Sequence, residues 1–155
     1  MINEQIYYYV KIIFDKSMSE LKLQKTEITA RDGTPVRLVY DEDADILEIF
    51  FGENGPATGI ELTDHIILRL DRKVRRAFSL LLLHFSILSE QTEYGPRSFS
   101  LEKLDNLPED LRELVLGLLT SLPVSQFLKL SQLQTTSLKH LPIAYVESQP
   151  MAVYA

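Results

Sequence analysis

The sequence predicts an α+β fold: an antiparallel β-meander of four to five strands with a helix packed on one face. Three observations carry this expectation. Strand-like runs succeed one another from Val36 to Phe85 across gaps of two to six residues, too short for a crossover helix, so neighbouring strands are expected to run antiparallel. Each gap holds turn-forming residues. A single amphipathic stripe then follows at helical spacing.

Taken in order, Ile6-Tyr7-Tyr8-Tyr9-Val10-Lys11-Ile12-Ile13-Phe14 is dense in aromatic and β-branched residues and reads as a strand. Residues 1–17 are either an added strand or an N-terminal extension, because Met18 would make an ordinary start of its own. Arg31-Asp32-Gly33-Thr34-Pro35 marks a turn. Five runs come next: Val36 to Tyr40, Ile46 to Phe51, Thr58 to Leu62, Ile66 to Leu70 and Val74 to about Phe85. Ile66, Leu68 and Leu70 share one face and Ile67 and Arg69 the other, the two-residue period of a strand with one side buried. The run Leu80 to Leu83 is apolar throughout. It predicts either a long central strand covered on both faces or a passage into helix near Leu81, and the strand is the favoured reading.

After a polar connection from Glu90 to Ser98, Pro108 suits the first helical position, and Glu109 and Asp110 place negative charge at the positive end of the helix dipole. Leu111, Leu114, Val115, Leu118, Leu119 and Leu122 form one stripe, which Pro123 ends. The stripe reads as core packing, with a partner-docking face as the alternative. Gln126 to Leu130 and Ile143 to Glu147 are two further strand-like runs.

A chain of 155 residues with 45% apolar content fits one domain over residues 1–155. Within it, 36–88 is the central meander and 100–123 the helical segment. The absence of cysteine removes disulfides and thiolate metal sites. A net charge of -6 opposes nucleic acid and anionic lipid. The leucine run Leu80 to Leu83 is far below the roughly 20 residues that cross a bilayer, so no membrane association is expected. The start Met-Ile-Asn-Glu-Gln carries acid ahead of any apolar run, unlike a secretory signal, and the expected location is cytoplasmic.

Asp41, Asp43 and Asp45 have the alternating spacing of a calcium loop, in which carboxylates converge on a hard cation. Ile46 stands where that loop needs glycine, and Gly52 where it needs a bidentate glutamate. The three aspartates are therefore read first as a hairpin turn and second as a metal site serving a small metal-assisted enzyme. Arg72, Lys73, Arg75 and Arg76, near Arg69, are the one concentrated basic group. They are interaction candidates, expected to pair with the acidic turn or to make an intermolecular contact, with nucleic acid as the weaker alternative. Gly52, Gly55 and Gly59 have no Gly-Lys-Ser/Thr to complete a phosphate loop. His65, His84 and His140 lie far apart in sequence, with no second histidine three or four residues away. His65 beside Asp64 would serve as acid or base only if both faced a pocket. No cofactor is implied.

The run Val39-Tyr40-Asp41-Glu42-Asp43-Ala44-Asp45-Ile46-Leu47-Glu48-Ile49 resembles the opening of a family of small bacterial domains of unknown function, marked by Tyr-Asp-x-acid-Ala-Asp before a short strand. Ile60 to Leu68 is similar to that family's second hairpin, and Leu70-Asp71-Arg72-Lys73-Val74 stands at its last turn. The chain departs where the family has Asp-Gly-Arg and a more polar final strand. The resemblance covers about residues 36–88, implies no catalytic residue, and implies a partner-binding role of the antitoxin kind. The expected function is a non-enzymatic interaction or regulatory module that binds a protein partner or its own copies.

Overall fold

The structure, a computed structural model, describes residues 23–93, 95–96, 98–134 and 140–146. The strand expected at Ile6 to Phe14 and the extension at 1–17 lie outside the described residues. Six strands form one antiparallel sheet: β1 (Leu23–Thr29), β2 (Pro35–Asp41), β3 (Ile46–Phe51), β4 (Thr58–Glu61), β5 (Ile66–Asp71) and β6 (Arg76–Leu83). Their order in space is β1-β2-β3-β6-β5-β4.

This corrects the expected meander of four to five strands in two ways. The first is β1, Leu-Gln-Lys-Thr-Glu-Ile-Thr, an edge strand that alternates exposed with half-buried positions. It has little to bury, so a search for apolar runs passes over it. The second is that β3 and β4 do not pair, because β6 lies between β3 and β5 and bonds to both. A strand rich in leucine on both faces gains most from a central position, where neighbours cover it on each side. Crossing from β3 to β4 spans about 14 Å at the usual strand spacing. The six-residue loop 52–57 can reach about 20 Å, so it carries the chain over the place that β6 later fills.

The leucine run is therefore strand throughout, ending at His84, whose backbone turns left-handed (φ 54, ψ 50) before the single-turn helix α1 (Phe85–Leu88). Within β6 the register shifts: Arg69 faces Ser79 but Leu70 faces Ala77, leaving Phe78 as an extra, bulged residue. Phe78 is buried under the Arg76 guanidinium, 4.3 Å from its ring centroid. Gly55 passes so close that a β-carbon there would stand 3.2 Å from the ring.

One face of the sheet is the core. Val36, Leu38 and Tyr40 of β2, Leu47, Ile49 and Phe51 of β3, Leu80 and Leu82 of β6, and Ile66, Leu68 and Leu70 of β5 are all buried on it. Helix α2 (Glu109–Leu119) starts one residue later than expected, with Pro108 as its N-cap, and adds Leu111, Leu114, Val115 and Leu119 to the same core. Each such side chain contributes about 2 kcal/mol of transfer free energy. The stripe stops there: Leu118 is half-buried and Leu122 is 42% exposed.

Beyond the large sheet, β7 (Gln91–Thr92) pairs with β8 (Gly95–Pro96), and β9 (Ser98–Ser100), β10 (Leu128–Gln134) and β11 (His140–Val146) form a second sheet in the order β10-β11-β9. The two late strand-like runs fall on β10 and β11, with Gln126 in a 3-10 turn ahead of β10. The Gln126 side chain accepts a hydrogen bond from the Arg31 amide (2.9 Å), tying the β1–β2 turn to this later segment. Phe127 packs its ring against Phe51, with centroids 5.9 Å apart.

Candidate functional site

Antiparallel pairing decides which turns share an end of the sheet. Ile46 at the start of β3 faces Leu83 at the end of β6, so the acidic β2–β3 turn, the β4–β5 turn and α1 lie together. Arg76 at the start of β6 is at the opposite end, with the β1–β2 turn and the 52–57 loop. Acidic and basic turns are thus a strand length apart. This corrects the expectation that the arginines pair with Asp41, Asp43 and Asp45.

At the acidic end, Asp41 accepts the Ala44 amide (3.1 Å) and closes the turn. Asp45, in the left-handed region at φ 55, turns its carboxylate inward. It accepts the Tyr40 hydroxyl (2.8 Å) and both the amide and the hydroxyl of Ser86. The Phe85 amide donates to the Asp45 carbonyl (2.9 Å), so α1 is anchored to this one residue. Burial, then the bond to Asp45 and the surrounding carboxylates, push the Tyr40 hydroxyl well above the usual tyrosine range and keep it a neutral donor. The three aspartates do not converge, and among the described residues no group of three or more metal-ligating side chains forms.

The same end brings together what the sequence kept apart. His65, in the β4–β5 turn, and His84, at the end of β6, face each other with 3.0 Å between their Nδ1 atoms and their rings nearly perpendicular. Nineteen residues separate them, so local spacing carried no signal of the pair. Asp64 is bonded by Lys103, whose ammonium donates to Asp64 (2.7 Å) and Glu61 (3.1 Å). That bond holds the Asp64 carboxyl below the ordinary range and raises the Lys103 ammonium.

At the basic end the four candidates have separate fates. Arg76 donates to the carbonyls of Phe51 (3.0 Å) and Glu53 (2.6 Å), and so holds the 52–57 loop. Arg72 makes a loose, exposed ion pair with Asp110 at 3.9 Å, worth little in stability. Lys73 and Val74 donate their amides to Asp71 (2.7 and 3.0 Å), which lowers the Asp71 carboxyl. Arg75 is exposed and left-handed at φ 56. A cleft of about 290 Å³ opens beside Arg75 and Arg76, lined by Asp32, Phe51, Leu118 and Leu122. It is at the lower limit of ligand pockets.

Between the two ends lies the outer face of the sheet. Val39, Ile46, Phe50, Ile67, Leu81 and Leu83 are half-buried on it, in contrast to the sealed core on the other side. At its centre Glu48 accepts bonds from Ser79 (2.7 Å) and Arg69 (3.3 Å). Arg37 stacks over Phe50 at 4.5 Å. Sequence alternation pointed to Ile67 and Arg69 on this side, whereas the Glu48–Arg69–Ser79 cluster depends on β6 standing between β3 and β5.

Residues 37–74 match the model of a family described as Protein of unknown function (DUF2283). The matched segment runs from β2 to the β5–β6 turn and includes the acidic turn, where Tyr40 and Asp45 are bonded to each other. Neither the curated proteins nor the solved structures contain a match to this chain. Among the described residues no helix is long and apolar enough to cross a membrane.

Proposed function

We propose that the protein is a non-catalytic interaction module that associates with a second copy of itself through the outer face of the large sheet. The observation that carries this reading is the set of six half-buried apolar side chains around the Glu48–Arg69 pair. A two-fold interface brings each residue against its partner's complement, and a face with an acid paired to a base at its centre is suited to that. The segregated ends add orientation. With the axis running across the strands, the acidic turn of one copy lies over the basic turn of the other. Six strands of about six residues give a face of about 25 by 20 Å. Two copies would bury about 1,000 Å², the lower bound for specific association, so the dimer is reversible.

Light scattering behind size exclusion, from submicromolar to several hundred micromolar, tests this. A rise in mass with concentration, weakened by salt and by Leu81→Lys in a protein that still melts cooperatively, is the expected result. A monomer at every concentration overturns self-association, and capture of a different protein on the same face would reassign the partner.

A further inference from the structure

We propose that His65 and His84 form a two-nitrogen binding site for a borderline first-row cation of the zinc, nickel or copper class. The site is distinct from the sheet face, at the acidic end of the molecule. Its geometry is close to what a metal needs. Two imidazole nitrogens on one tetrahedral ion, each about 2.0–2.1 Å away, stand about 3.3 Å apart. The two Nδ1 atoms are 3.0 Å apart, so opening that separation by about 0.3 Å and turning each ring until its lone pair leaves the line between them gives the spacing of a shared cation.

The backbone fixes that approach. The Leu83 amide donates to the His65 carbonyl (2.7 Å), pinning the strand end that carries His84 to the turn that carries His65. His84 occupies the left-handed region, which non-glycine residues seldom enter and histidine enters more often than most. The Phe99 ring packs edge-on against His65, 5.9 Å between centroids. In the metal-free pair the roles of donor and acceptor across the Nδ1–Nδ1 contact follow the ring tautomers. A cation takes both Nδ1 lone pairs when each ring carries its proton on Nε2.

Imidazole selects the cation. Calcium and magnesium require oxygen donors, whereas zinc, nickel and copper favour nitrogen. The neighbouring carboxylates are engaged, Asp64 by Lys103 and Asp45 by Tyr40 and Ser86. Water therefore completes the coordination, and the ion is exchangeable.

Calorimetric titration of the full chain with zinc chloride tests the site. One equivalent bound, with no heat from magnesium and at least tenfold weaker binding in both His65→Gln and His84→Asn, is the expected outcome. Asparagine at position 84 retains a residue suited to left-handed backbone, and melting curves verify that each variant folds. Ring-nitrogen NMR of the unaltered chain gives a second readout: of the three histidines, zinc is expected to move the signals of His65 and His84 together. No zinc binding, undiminished binding in either variant, or a response confined to His140 overturns the proposal.

Discussion

The two hairpin turns at Asp41–Ile46 and Asp71–Arg76 share one backbone plan and carry opposite charge. In each, an aspartate at the strand end accepts the amide of the residue three positions on, Ala44 in the first and Val74 in the second. In each, the fourth loop residue is left-handed, Asp45 at φ 55 and Arg75 at φ 56. The difference lies in what occupies that strained position. Asp45 turns its carboxylate toward Tyr40 and Ser86 and anchors α1; Arg75 points to solvent and bonds to no described residue. The first strain is offset by bonds, whereas the second brings only a charge at the surface. Left-handed strain without structural compensation is the kind found at functional positions.

Replacement of the two left-handed residues by glycine separates these roles. Asp45→Gly relieves about 1 kcal/mol of backbone strain but removes charge-assisted hydrogen bonds worth about 3 kcal/mol in sum. A net loss of about 2 kcal/mol is expected in denaturant unfolding. An unchanged midpoint would show that the anchor on α1 is dispensable.

The next effect is one of pH. Tyr40 titrates near 10 in the unfolded chain, while burial and Asp45 raise it in the folded one. Its contribution is therefore complete below pH 10 and is lost as pH rises from there toward the raised folded value. The expected slope is about 1.4 kcal/mol per pH unit. Tyr40→Phe should remove that increment, leaving the slope of the other tyrosines. An identical alkaline profile in the variant would disconnect Tyr40 from the turn's stability.

The smallest effect has the opposite sign. Arg75→Gly is expected to stabilise the protein by about 1 kcal/mol, since it relieves left-handed strain and removes no bond to a described residue. The same variant should weaken the salt-sensitive self-association. Stabilisation without weakened association would leave the turn's charge without a role in pairing.

Much of the sheet was legible because its signals are local. Asp41, Gly52 and Asp71 mark turns, and Ile66, Leu68 and Leu70 alternate with Ile67 and Arg69 onto two faces. Helix α2 could be read from Pro108 and the leucine spacing that follows. What escaped the sequence is non-local. Nearness along the chain points to pairing of successive strands, whereas the leucines of β6 claim the centre. β1 was missed because an edge strand with Gln24, Lys25 and Glu27 carries little apolar signal. Of the candidate sites, the acidic turn was recognised as a hairpin, but the reach of Asp45 to Ser86 spans 41 residues. Likewise the His65–His84 pair and the Glu48–Arg69–Ser79 cluster exist only once β6 is in place.

The position of β6 also governs how the chain comes together during synthesis. The DUF2283 match ends at residue 74, before the first residue of β6. The matched segment holds two hairpin halves, β2 with β3 and β4 with β5, that share no strand-to-strand contact of their own. A nascent chain that has reached only Val74 presents two separate apolar surfaces and no means of joining them. Emergence of the Ala77-to-Leu83 segment supplies both missing edges at once. Closure is then a single late event that depends on distant contacts, which slows folding and lengthens the exposure of apolar edges. That short leucine-rich segment is thus the element through which the two halves become one sheet.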